Sequence, residues 1–246
     1  MMKKKIRQKD TDLVFGIHPI IELLKAKKRK LYSIYMTKPE PKAWKHIKQL
    51  LPKKPVPVRY VPRETLHKIA ATTDHQGIVA RVQPFVFAKK FFNPRTHPFV
   101  LLLDGIQDVG NLGAMLRSAY CTNCDGVIIC KKGGAPLTAA AFNRSAGLAE
   151  HLTIYQVPSV VHAVKELKKV GYYLYLATLD GKDVRTVHFQ TSLCLVIGNE
   201  AIGITKSILS EGEQITLAQR KADISYNASV AAGILLFLIA NSLQKI

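Results

Sequence analysis

Three short segments, each setting small residues beside one or two polar side chains, constrain this chain more than any other feature. They are Asp108-Val109-Gly110-Asn111-Leu112-Gly113-Ala114-Met115-Leu116-Arg117, then Leu195-Val196-Ile197-Gly198-Asn199-Glu200-Ala201-Ile202-Gly203, then Ile224-Ser225-Tyr226-Asn227-Ala228-Ser229-Val230-Ala231-Ala232-Gly233. Small residues let backbone approach a ligand closely, and the polar side chains supply groups such a ligand can use. Spread along the chain yet alike in composition, the segments read as parts of one split active site.

The scaffold around them is α/β. Residues 99–103 are nearly all apolar, as expected of a strand covered on both faces. Further core strands are expected at 126–130, 172–177 and 193–197, and helices at 112–120, 160–170 and 229–244. That alternation predicts a mostly parallel sheet with helices on both sides. In the first third, residues 13–24 have helix-compatible apolar spacing and 31–36 read as a strand. A helix over 42–51, with Trp44, Ile47, Leu50 and Leu51 on one side, is stopped by Pro52, Pro55 and Pro57. A strand at 56–61, a helix at 63–71 and a strand at 77–82 complete a small α/β unit. The expected division is a basic arm and small domain over 1–83, a linker over 84–96 and a larger domain over 97–246.

Charge separates the same two parts. Residues 1–90 hold 22 Lys and Arg against 6 Asp and Glu, a net of +16, whereas residues 91–246 hold 14 against 11, a net of +3. Clusters such as Lys3-Lys4-Lys5 and Lys25-Ala26-Lys27-Lys28-Arg29-Lys30 suit phosphate contacts driven by counterion release, so RNA is the expected partner. Solubility alone is the plainer reading of any single cluster. The amino terminus has no apolar core of signal-peptide length, and the longest apolar run, 230–240, is too short to span a bilayer, so no membrane partner and a cytoplasmic location are expected. Cys121, Cys124, Cys130 and Cys194 do not form a disulfide framework, and Cys121-Thr122-Asn123-Cys124 lacks a second pair or His ligands, so reduced thiols and no metal are expected. No Gly-x-Gly-x-x-Gly follows the first core strand, and the nearest substitute, Lys131-Lys132-Gly133-Gly134, is a basic loop rather than a dinucleotide cradle.

Each motif also has a plain structural reading. Asn111 and Gly113 sit at the expected opening of a helix, with Arg117 six positions after Asn111, and backbone donors plus a guanidinium there make a place for a phosphate or a ribose edge. The alternatives are a helix cap for Asn111 and a surface ion pair for Arg117. Glu200 falls just past a buried strand, where an acid hydrogen-bonds a substrate, positions Arg117, or simply starts a helix. Ser225 and Asn227 precede an apolar helix, and capping by itself accounts for one of them. His18 and His75 are tempting bases, but His75 better fits the turn before a strand.

In this order and with these separations the three segments resemble the motifs of the SpoU (TrmH) family of knotted RNA ribose 2'-O-methyltransferases. Val14-Phe15-Gly16-Ile17-His18-Pro19 and Asp74-His75-Gln76-Gly77-Ile78-Val79-Ala80 resemble the amino-terminal domain that many of its members carry. The resemblance implies a carboxy-terminal SPOUT domain with a parallel sheet and a deep trefoil knot, plus a small ribosomal-protein-L30-like substrate-binding domain. It implies that Asn111, Arg117, Glu200, Ser225 and Asn227 form the active site. Gly198 with the backbone around Leu217 and Tyr226 would hold S-adenosyl-L-methionine, with no metal and in a homodimer. The implied reaction is methyl transfer to a ribose 2'-hydroxyl, most like the subgroup that acts on a guanosine of 23S ribosomal RNA. Transfer RNA is the competing substrate, and a non-catalytic RNA-binding or ribosome-assembly factor on the same fold is the competing class. Family members usually have proline where this chain has Val109 and Ala218, and glycine where it has Ala201.

Overall fold

The computed structural model describes residues 11–220 and 225–246. The basic arm with Lys3-Lys4-Lys5 and the first residue of the third motif, Ile224, lie outside the described residues. The chain folds as two compact units. The first is built from β1 (Asp12–Phe15), α1 (Ile17–Ala26), β2 (Leu31–Met36), α2 (Trp44–Leu50), β3 (Val58–Tyr60), α3 (Arg63–Ala70) and β4 (Ile78–Val82). Its sheet has the order β1-β4-β2-β3, with β2 and β3 parallel and β4 antiparallel to both β1 and β2. The single helix expected over 13–24 is in fact a strand and a helix. Gly16, at φ 91°, breaks the run between them, and its N–H donates to Ile78 O at 3.2 Å. Leu13 and Val14 fit either period, and pairing with β4 decided for the strand. The helix expected over 42–51 shortens because Leu51, ahead of Pro52, is extended with ψ 145°. His75 is fully buried and its Nδ1 accepts from Gly77 N at 2.9 Å, fixing the turn into β4, and burial lowers its pKa.

The second unit contains β5 (Phe99–Leu103), α4 (Val109–Cys121) and β6 (Gly126–Cys130). The chain then contributes α5 (Ala139–Arg144) to the first unit and returns as β7 (Ile154–Val157), α6 (Val160–Val170), β8 (Tyr173–Asp183), β9 (Leu193–Ile197), β10 (Glu213–Thr216) and α7 (Ala228–Ser242). Strand order is β10-β8-β9-β5-β6-β7 with every pairing parallel. Every residue of β5, β6 and β9 is buried, matching their continuous apolar sequences. Because β6 and β7 extend the sheet on one side of β5 while β8 to β10 lie on the other, the carboxyl ends of β5 and β9 form the crevice where open α/β sheets bind ligands. β8 runs past its expected end at 177. Its pairing with β10 jumps from Leu176↔Gln214 to Lys182↔Ile215, so residues 177–181 loop out beside that crevice. Among the described residues no helix is long and apolar enough to cross a membrane.

The sequence suggested a continuous larger domain from residue 97, but Thr138–His151 packs into the first unit. Its anchor is Arg29, whose Nη1 donates to Glu150 Oε1 and Nη2 to Asp12 Oδ2, each at 2.8 Å, while Nε donates to Gln83 O at 2.7 Å. The guanidinium also lies 5.1 Å from the Phe142 ring centroid. Burying a charge is costly unless it is paired, and the Arg29–Glu150 pair with the Phe142 contact holds the segment in the first unit.

Candidate active site

Asp108, rather than Asn111, caps α4: its Oδ1 accepts from Asn111 N at 2.6 Å, so the helix begins at Val109 and Asn111 falls in its first turn. This releases the Asn111 side chain, whose Nδ2 donates to Glu200 Oε1 at 3.0 Å. Gln107 N and Asp108 N donate to the same carboxylate at 3.2 and 3.4 Å. Partial burial opposes ionisation of Glu200, but the Asn111 amide and these backbone donors outweigh it and hold the carboxyl below its ordinary range. Glu200 is therefore an anion at neutral pH, spent on the loop before α4. It makes no ion pair with Arg117 among the described residues, so the positioning role the sequence left open is not the one observed. Arg117 itself is exposed on α4, and its side chain has no hydrogen bond or ion pair to another described residue.

The ends of β5 and β9 are stitched together by Asn199, a second-motif residue given no role in the sequence reading, and by Asp104, outside the motifs. Asn199 Nδ2 donates to Gly105 O at 2.7 Å, and its Oδ1 accepts from Ala201 N at 2.8 Å and Ile202 N at 3.2 Å. Its backbone exchanges hydrogen bonds of 3.0 and 2.9 Å with Gly203. Asp104, almost fully buried, accepts from Thr205 N at 2.7 Å and Thr205 Oγ1 at 3.1 Å. The available signal was an Asp or Asn one or two residues past an all-apolar strand, a place where such side chains bond nearby backbone. Gly198 belongs to the same turn. A Cβ there would sit 2.3 Å from Gly203 C and 2.4 Å from Ile204 N, both backbone atoms that cannot yield cheaply. Gly198→Ala is accordingly expected to cost about 1–3 kcal/mol of stability in urea unfolding, and a midpoint equal to wild type would show the turn to be slack.

Beside this turn opens a pocket of about 480 Å³, a size typical of small-molecule sites. Gly198, Glu200, Leu217, Ser225 and Tyr226 all line it, together with Thr178 from the looped-out part of β8. Tyr226 Oη donates to Ala218 O at 3.4 Å, joining the third motif to the segment after β10. Asn111 does not line the pocket and reaches it through Glu200, and Arg117 and Asn227 do not line it either. Asn227 is the cap of α7, its Oδ1 accepting from Ser229 N at 2.8 Å and Ser229 Oγ at 2.7 Å. Its structural reading is thus filled.

A family model described as the SpoU rRNA Methylase family matches residues 98–237, and one for RNA 2'-O ribose methyltransferase substrate binding matches residues 13–88. The chain belongs to the SpoU family. Its match spans both units of this SpoU protein, and the chain is an RNA ribose 2'-O-methyltransferase by that membership. It is 31% identical over 235 residues to YacO of Bacillus subtilis (strain 168), named for the TrmH family of tRNA/rRNA methyltransferases, with 92% of this chain and 94% of YacO covered. It is 31% identical over 240 residues to the 23S rRNA (guanosine-2'-O-)-methyltransferase RlmB of Pasteurella multocida (strain Pm70), covering 92% of this chain and 96% of that protein. Among solved structures, the AdoMet-bound rRNA methyltransferase from Sinorhizobium meliloti has the same fold, with a TM-score of 0.80 at 19% identity over 96% of this chain and 89% of that one. Val109, where members usually carry proline, is the first helical residue of α4, a position that favours proline without requiring it, and Ala201, where they usually carry glycine, does not have a positive φ.

Proposed function

We propose that this SpoU enzyme transfers the methyl group of S-adenosyl-L-methionine to the 2'-hydroxyl of a guanosine in 23S ribosomal RNA. The observation that carries the reading is convergence: parts of the second and third motifs line one pocket, and the first motif is bound to that pocket by the Asn111–Glu200 hydrogen bond. The pocket fits the cofactor in kind. It combines apolar walls at Ile197, Ile215 and Leu235 with the backbone of the tight Gly198 turn. Gly198, Leu217 and Tyr226 would hold the cofactor, which when bound supplies an electrophilic sulfonium methyl.

The protein's part is orientation and charge. The capped start of α4, with Glu200 fixing Gln107, Asp108 and Asn111, holds the first-motif loop rigid beside the pocket. Arg117 clamps a phosphate next to the target ribose and stabilises the oxyanion that forms as the 2'-hydroxyl gives its proton to solvent water. A guanidinium with a pKa above about 12 is a poor proton acceptor, so the clamp is favoured over a base. Ser225, exposed at the pocket and without a side-chain hydrogen bond to another described residue, is a polar group available to the ribose.

Identity to the 23S rRNA guanosine enzyme over nearly the whole chain supports the ribosomal substrate, and an RNA substrate of this kind fits a cytoplasmic location. Transfer RNA is the second reading, favoured by the name that YacO carries. Transfer of labelled methyl from S-adenosylmethionine to unmodified 23S rRNA and to tRNA, with the product mapped, decides between them. Label confined to a 23S guanosine ribose is expected, label in tRNA alone would replace the substrate, and no label in either would favour the non-catalytic RNA-binding reading.

Two further features belong to this proposal. α7 returns to pack on β9 and α4 after β10 has taken the sheet edge, which supports the deep trefoil knot. Along α7, Val230, Ile234 and Phe237 are 49%, 37% and 55% exposed at helical spacing, an apolar stripe that supports a homodimer through this helix. Phe237→Asp is expected to convert a dimer to monomer in light scattering, and a dimer that survives it would place the interface elsewhere.

A further inference from the structure

The first unit has a groove that methyl transfer does not use. Its volume is about 1230 Å³, and it lies between the end of α1, the start of β2 and the proline-containing run after α2. Its floor is apolar: Leu31, Leu50, Leu51 and Val56 stay half-buried there. Its rim is cationic. Lys27, Lys30, Lys53 and Lys54 line it, and none of them is in an ion pair among the described residues. The other two cations of the lining are already engaged, Lys25 with Glu22 at 2.8 Å and Arg29 in its buried pairs. No Asp or Glu among the described residues lines the groove, and Tyr32 forms part of its wall with the Lys30 ammonium 5.5 Å from its ring centroid.

Four unpaired like charges around an apolar hollow repel one another until a polyanion meets them. The apolar hollow narrows the choice. A duplex keeps the flat faces of its bases stacked inside, and a bilayer keeps its acyl chains beneath the headgroups. A single RNA strand offers both, with phosphates for the lysines and flat bases for the floor and the tyrosine ring. We propose that this groove of the first unit binds a single-stranded stretch of the substrate RNA, with phosphates on Lys27, Lys30, Lys53 and Lys54 and a base against Tyr32. The proposal rests on RNA as the substrate and names the part of it that the first unit holds.

The test is fluorescence anisotropy of the full-length protein with a labelled single-stranded RNA oligonucleotide and with a duplex of the same sequence, between 50 and 200 mM salt. Lys53→Ala/Lys54→Ala is expected to weaken single-strand binding about tenfold and to flatten the log–log salt slope by about 1.4, or ~0.7 per lost phosphate contact. Tyr32→Leu keeps an apolar side chain but removes the ring, and is expected to weaken the single strand about fivefold or more while leaving the duplex unchanged. Thermal midpoints and S-adenosylmethionine binding equal to wild type establish that both variants are folded. Single-strand affinities within twofold of wild type for both folded variants would overturn the proposal. Equal losses for single strand and duplex would do the same, as would displacement of the RNA by phosphatidylserine vesicles at matched charge. If no RNA accepts methyl while these variants still weaken RNA binding, the methyl-transfer reading fails and the groove stands. If transfer proceeds and the variants bind normally, the groove alone fails.

Discussion

Arg117→Ala is expected to lower kcat for RNA methylation by at least about 100-fold, the usual loss when one donor to a developing oxyanion is removed. The charge at this position is unspent: Arg117 is exposed on α4 and its guanidinium bonds to no described residue. Its removal therefore leaves the fold intact, and the thermal midpoint and cofactor affinity of the variant are expected to match wild type. Arg117→Lys separates clamp from charge. A lysine keeps the charge but loses the planar fork that grips a phosphate through two parallel hydrogen bonds, so only part of the activity returns. Steady-state kinetics on the mapped RNA substrate reads both variants. Near-wild-type kcat in Arg117→Ala would remove Arg117 from the catalytic set.

Arg29→Met is expected to destabilise the first unit by about 3–5 kcal/mol, because it leaves the Glu150 carboxylate buried without its cation. The Arg29 side chain is 1% exposed and that of Glu150 is 0% exposed, so water cannot replace the lost partner. Burial already pushes the Glu150 carboxyl above its ordinary range, with Arg29 pulling it back. Two consequences separate this cause from a packing defect. The double change Arg29→Met/Glu150→Leu is expected to recover most of the loss, since the cost lies in the unpaired charge rather than in the missing pair. The loss in Arg29→Met is also expected to shrink as the pH falls through the raised pKa of Glu150, because the folded state then binds a proton that the unfolded state does not. Calorimetric unfolding across pH reads both, and a loss below about 1 kcal/mol would show that the ion pair carries little.

Much of this protein was legible in its sequence. The strands at Phe99–Leu103, Gly126–Cys130 and Leu193–Ile197 lie where their continuous apolar runs predicted them, because a buried parallel strand leaves no other use for such a run. α6 and β2 likewise keep their expected bounds. β7 and β10 were not legible: Ile-Tyr-Gln-Val and Glu-Gln-Ile-Thr are too short and too polar to show a period, and neighbouring strands make them. In the site, the sequence singled out Asn111, Arg117, Glu200, Ser225 and Asn227 among small residues, and the family resemblance added Gly198, Leu217 and Tyr226, but their partners stayed open.

What the sequence determined by itself is local: the apolar strands, the small residues that admit close backbone, the basic first third and the polar groups at strand ends. Each follows from the chemistry of a residue and its immediate neighbours. Tertiary structure alone decided that Asp108 caps α4 so that Asn111 is free for Glu200, that Asn227 is spent on α7, and that Thr138–His151 packs into the first unit through Arg29. In the cases that span the chain, Asn111 with Glu200 and Arg29 with Glu150, a hydrogen bond is chosen between partners far apart in sequence. Which partner wins depends on burial and distance, quantities that exist only once the chain has folded.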